Sequence, residues 1–181
     1  KEYRRQRQMC IRDRLILEYM KFKLLAFLLT INVSFSQSAD DCISNLSIFA
    51  EYYKVKNYDS AYEPWMKVRQ ECPNMNAAIY SYGKRMLEHY IKTSEGEQKI
   101  AYQNDLIKLY DEWLVNFPTL RGRKIIGEII SNKAQAMLDN KFASKSEIYK
   151  VFDNAYSIDR SSFDDPKPLY NYFKTYYELY K

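Results

Sequence analysis

Three successive segments of this chain place their apolar residues three and four positions apart, and that spacing constrains the fold more than any other feature. Ile79, Tyr82, Gly83, Met86, Leu87 and Tyr90 fall at i, i+3, i+4, i+7, i+8 and i+11, the single wide stripe of a helix that buries one side. Leu106, Ile107, Tyr110, Trp113, Leu114 and Phe117 repeat the pattern, and Ile125, Ile126, Ile129, Ile130, Ala134 and Met137 do so again. No run alternates with period two for long enough to make a convincing strand. Four glycines and five prolines among 181 residues leave little material for the tight turns of a β fold. The spacing predicts an all-α chain of about seven helices.

The breakers fall between the stripes. Asn57 and Asp59 can cap a helix starting near Tyr58, and Pro73-Asn74 ends it. Ser94-Glu95-Gly96, Pro118-Thr119, Ser144-Lys145 and Asp164-Asp165-Pro166 continue the series. Pro64 lies inside one segment, where it should start or kink the helix. Helices joined by such short connectors pack as antiparallel hairpins, which can close into a bundle or stack openly.

Internal comparison favours the stack. In 42–73, Ile48 and Tyr52 lie on the first helix, and Tyr58, Ala61, Trp65, Val68 and Pro73 follow on the second. A small residue where two helices cross, an aromatic four positions later and a closing proline resemble a tetratricopeptide repeat. Tyr82-Gly83 with Tyr110 and Pro118 resembles a second unit over 75–118, and Phe152 and Ala155 resemble the closing half of a third over 121–160. The segment 166–181 resembles the first helix of a further repeat, with Leu169, Phe173, Tyr176 and Tyr180 on one face. Nothing covers that face, so the expectation is a C-terminally truncated array. The units are longer than is usual for the family, Leu106 stands where alanine is expected, and Arg160 replaces a closing proline. The resemblance implies a right-handed solenoid of hairpins over 37–181, with Tyr52, Tyr58, Ala61, Trp65, Pro73, Gly83, Tyr110, Pro118, Phe152 and Ala155 packing the repeats.

The net charge of +5 is misplaced as a sign of nucleic-acid binding. Of 28 basic and 23 acidic residues, eight and three fall in 1–36, so 37–181 carries twenty of each. A neutral body has no global field to attract a polyanion. Residues 20–36 read as a signal peptide: Lys21 and Lys23, then an uncharged run from Leu24 to Phe35, then Ser34 and Ser36 before Gln37. A buried core helix is the alternative. Residues 1–19 precede the signal's own methionine, and Arg5 to Arg14 resembles translated sequencing-adapter read-through; a basic amphipathic arm or an Arg-rich transit peptide is the rival reading.

Without residues 1–36, Cys42 and Cys72 remain. The start of the first helix and the end of the second meet in a hairpin, so an exported protein should bridge them. A loop of that length stabilises by about 3–4 kcal/mol in the chain-entropy account; two buried thiols are the alternative. The single histidine, His89, has no second His or Cys within helical reach, and no glycine pattern cradles a phosphate. Asp111 and Glu112 read as a solvated helix face, and Asp164 and Asp165 as a capping turn. No catalytic, metal or cofactor site is expected. Arg121, Arg123 and Lys124 open a helix, where positive charge opposes the dipole, and so become candidate contacts for an acidic partner. Tyr53, Tyr62, Tyr80 and Tyr102 are candidates for an exposed binding face.

These readings converge on a non-catalytic exported scaffold that binds a protein or peptide through its repeat surface. The signal ending in SFSQ and the Tyr/Lys/Asn-rich composition resemble a Bacteroidetes-type envelope protein. That resemblance implies the periplasm, with an outer-membrane assembly as a candidate point of attachment. Neither nucleic acid nor a small-molecule substrate is expected. One alternative is the helical accessory region of a larger exported enzyme whose catalytic domain lies beyond residue 181. Another is a closed bundle holding a small apolar ligand.

Overall fold

The computed structural model describes residues 40–181; the extension at 1–19, the signal segment at 20–36 and Cys10 lie outside the described residues. Contacts divide the chain into Lys1–Asn45 and Leu46–Lys181. Of the first unit only 40–45 is described, a helical segment in which the Asn45 side chain donates to the Asp41 carbonyl. That helix, α1, runs over 40–54. Cys42 and Cys72 form a disulfide.

The stripes become helices where the spacing places them. After α1 come α2 (Tyr58–Glu71), α3 (Ala78–Thr93), α4 (Gly96–Asn116), α5 (Ile126–Asp139), α6 (Lys145–Ile158) and α7 (Pro166–Tyr180). The described residues are 79% helical, so the fold is all-α. The caps are local chemistry. Asn57 accepts from the Ser60 N–H to start α2, Ser144 and Glu147 form a reciprocal capping box on α6, and Asp165 caps α7 ahead of Pro166. Pro64 sits inside α2 and does not start it, because the Asn57 cap sets the first turn upstream.

Each helix packs mainly on its neighbours in sequence: α2 on α3, α3 on α4, α4 on α5, α5 on α6 and α6 on α7, with α7 also touching α5. Two apolar cores result. One is built from Phe49, Ala61, Trp65, Tyr80, Leu87 and Tyr110 among others, and one from Ile130, Ala134, Phe152, Ala155 and Tyr172 among others. Ile107 and Leu114 of α4 touch both cores. Gly83 lies under the Trp65 indole, where a Cβ would stand 2.6 Å from the ring, and the Trp65 N–H donates to the Ile79 carbonyl at 2.7 Å. The small-residue contact thus falls at Gly83, while Ala61 is fully buried in the same core.

The register of α1 differs from the one expected. Tyr52 and Ile48 are 39% and 42% exposed, whereas Phe49 is fully buried and Tyr53 packs against the core. The buried edge is therefore 46, 49 and 53, one position along from the one expected. Tyr53 stacks on Tyr82 at 4.1 Å and lies 5.9 Å from Tyr58, which accounts for the choice between two adjacent tyrosines.

The basic cluster does not open a helix. Thr119–Leu120 pairs antiparallel with Arg123–Lys124, and Arg121 and Gly122 between them both have positive φ, the geometry of a two-residue hairpin turn. Helix α5 starts afterwards at Ile126, so the cations lie on an exposed β-hairpin ahead of its first turn. This small insertion, together with a 21-residue α4, explains why the second and third units are longer than the first.

Candidate ligand cleft

A cleft of about 600 Å³ lies between the second and third hairpins. The last turns of α3 supply Glu88, Ile91 and Lys92, and the first turns of α4 supply Lys99, Gln103 and Leu106. Ala136 and Asp139 close it from α5, with Asn140 and Lys141 just after that helix and Lys167 on the first turn of α7. Ile91, Leu106 and Ala136 are buried and give an apolar floor. Above it, Gln103 Nε2 donates to Asn140 Oδ1 at 3.1 Å and Lys167 pairs with Asp139 at 2.7 Å.

Lys141 has φ 53°, a left-handed conformation in which glycine is the usual residue. Its N–H donates to the Leu138 carbonyl and that of Phe142 to Met137, closing α5 as a Schellman motif. The turn after α1 is built the same way around Lys56, with Lys56 bonded to Tyr53 and Asn57 to Tyr52. The first and third hairpins therefore share a turn geometry that their sequences, VKNYDS and DNKFAS, show only faintly.

A smaller depression of about 290 Å³ lies between α2 and α4, with Arg69 on its wall. Arg69 Nε donates to Glu112 Oε2 at 2.6 Å and Nη1 to Asp105 Oδ2 at 3.0 Å, while Nη2 contacts Asp105 Oδ1 at 2.9 Å without hydrogen-bond alignment. The guanidinium lies 5.0 Å from the Trp65 ring centroid. Glu112 is thus part of a largely buried ion cluster and not of a solvated face; Asp111, beside it, pairs outward with Lys133. With two carboxylates already on it, this arginine has no charge left for a ligand, which leaves the larger cleft as the candidate.

The other expected sites are dispersed. Arg121, Arg123 and Lys124 are exposed on the hairpin, where Arg123 pairs with Asp164 at 3.2 Å. Tyr53, Tyr62 and Tyr102 are half-buried in the first core. Tyr80 is fully buried and donates its hydroxyl to the Pro73 carbonyl at 2.9 Å, so it lines no exposed face. His89 is exposed, edge-on to Tyr58. Among the described residues no group of three or more His, Cys, Asp or Glu is placed to hold a metal ion. The sequence does not single out the cleft's lysines, because Lys92, Lys99 and Lys167 are ordinary within their own helices and Lys141 sits in a short connector.

Burial governs the tyrosines. It pushes the Tyr80 hydroxyl up to about 12, with the Glu112 charge adding to the effect, and raises Tyr90, Tyr110 and Tyr172 as well. Asp59 and Asp153, which accept from Tyr90 and Tyr172, reinforce the shift at those two. A raised pKa means that the folded state favours the neutral phenol. The stabilisation is fully present below the unfolded value near ~10 and is lost as pH rises through the folded values. Absorbance titration should show Tyr80, Tyr90, Tyr110 and Tyr172 ionising only as helical circular dichroism collapses at high pH. A single transition near ~10 with the helices intact would contradict the packing described.

Comparison with profiles of known families, with curated proteins and with solved structures found no match for this chain.

Proposed function

We propose that the chain is an exported, non-catalytic scaffold that holds a protein or peptide partner through a tetratricopeptide-like repeat surface, in the periplasm of a Gram-negative envelope. The observation that carries the reading is packing in sequence order. Helix α7 rests on α5 and α6, and Tyr170, Phe173, Tyr176, Tyr177 and Tyr180 are each more than half exposed. Hairpins stacked in this way present surface and clefts between units rather than one sealed interior. The disulfide supports an oxidising compartment.

The test is retention of a defined envelope protein by the immobilised, oxidised chain, with crosslinks mapping its contacts onto 46–181. A partner retained after washing and crosslinked to the inter-hairpin surface is the expected result. Failure to retain any envelope protein across several buffer conditions counts against the scaffold.

A further inference from the structure

We infer that the cleft between the second and third hairpins takes an acidic peptide segment, whose carboxylates are held by Lys92, Lys99 and Lys141. This rests on the partner-binding reading above and specifies the chemistry of the partner. The charge is local: 37–181 carries twenty basic and twenty acidic residues, yet four lysines line this one concavity. The lining acids are already engaged, since Asp139 accepts from Lys167 and Gln135, and Glu88 lies 3.8 Å from Lys84. Lys92, Lys99 and Lys141 form no ion pair among the described residues.

Three uncompensated ammonium groups, brought from the end of α3, the start of α4 and the end of α5, repel one another across an apolar floor. A cleft with low-dielectric walls and an excess of positive charge, four lysines against two carboxylates, focuses its field on a counter-charge. Lys141 adds a backbone cost, because a lysine at φ 53° occupies a position that glycine fills without a Cβ penalty. The chain therefore keeps a cation at the mouth of the cleft at some expense in stability.

The lining also selects the kind of anion. It holds no arginine fork for bidentate phosphate recognition, but it has a floor of Ile91, Leu106 and Ala136 and an amide pair, Gln103 with Asn140. Flexible lysines over an apolar base with amides alongside suit the carboxylates, methylenes and backbone of a Glu-rich segment.

Fluorescence anisotropy with labelled poly-glutamate, poly-lysine and an uncharged Gly-Ser peptide tests this. Poly-glutamate should bind, more weakly as salt rises, and the others should not. Lys92→Glu/Lys99→Glu/Lys141→Glu should weaken it by ~10-fold or more, while Arg121→Glu/Lys124→Glu on the exposed hairpin should leave it unchanged. Thermal melts of both variants establish that they fold, and Lys141→Gly, which relieves the backbone, should weaken binding while preserving the fold. Equal loss in both charge variants, absence of poly-glutamate binding, or stronger competition by inorganic polyphosphate than by poly-glutamate would each overturn the inference. If poly-glutamate binds at the cleft but no envelope protein is retained, the scaffold reading fails and the charge assignment stands. If a partner is retained equally by the triple-lysine variant, the scaffold stands and the cleft assignment falls.

Discussion

Arg69→Ala should lower the unfolding free energy by about 3–5 kcal/mol, a large share of the total for a domain of this size. The Arg69 side chain is only 4% exposed, and its two partners, Asp105 and Glu112, are 24% and 29% exposed. Removing the guanidinium leaves two carboxylates facing a partly desolvated gap with no cation, and strips the aliphatic stem from the Trp65 ring. Replacing the whole cluster should behave differently. In Arg69→Met/Asp105→Leu/Glu112→Met the desolvation cost disappears with the attraction, so most of the loss should be recovered. Urea denaturation of the three proteins measures both effects. If the single variant loses less than about 1 kcal/mol, the cluster is worth no more than a surface ion pair and its structural role fails.

That cluster also shows what a linear reading can and cannot reach. Arg69 lies four residues after Trp65 and eight after Ala61, so it is a cation on the buried stripe of α2. Asp105 and Glu112 lie seven apart, on one face of α4. Each spacing is visible in the sequence. Their pairing is not, because it joins positions 36 and 43 residues distant. The helices themselves are legible because periodicity and caps are local. The α1 register is not, since Tyr52 and Tyr53 are chemically identical and only the stacking partner Tyr82, on another helix, distinguishes them. The hairpin at 119–124 is hidden because two-residue strands carry no period, although Arg121-Gly122 in a breaker segment is a turn signal. Lys92, Lys99 and Lys141 belong to three separate helix ends, and their convergence exists only in the packed form.

Gly127→Ala should destabilise the third hairpin by about 2–3 kcal/mol or more, although helix propensity alone predicts a gain of up to about 1 kcal/mol. Gly127 is the second residue of α5 and lies against the turn that follows α6. A Cβ there would collide with the Asp159 carbonyl oxygen and stand 2.9 Å from Ser162 Oγ. The obstacle includes main chain, so a side-chain rotation does not relieve it. The displaced turn is also a polar junction. Ser162 and Ser161 donate to the Asp159 carboxylate at 2.6 and 2.7 Å, and Ser162 Oγ accepts the Glu128 N–H. The Ser162 hydroxyl first, then that of Ser161, with the Gly127 N–H assisting, hold the Asp159 carboxyl below its ordinary value. A depressed carboxyl stabilises the fold above its unfolded value near ~3.9, and the contribution is lost as pH falls through the lower folded value. The gap between wild type and Gly127→Ala should therefore be widest near neutrality and narrow in acid, and Asp159→Asn should flatten the acid limb without the steric loss. Denaturation midpoints at neutral and acidic pH separate the two contributions. A Gly127→Ala variant as stable as wild type at neutral pH would show that α5 and the turn after α6 are not in the contact described.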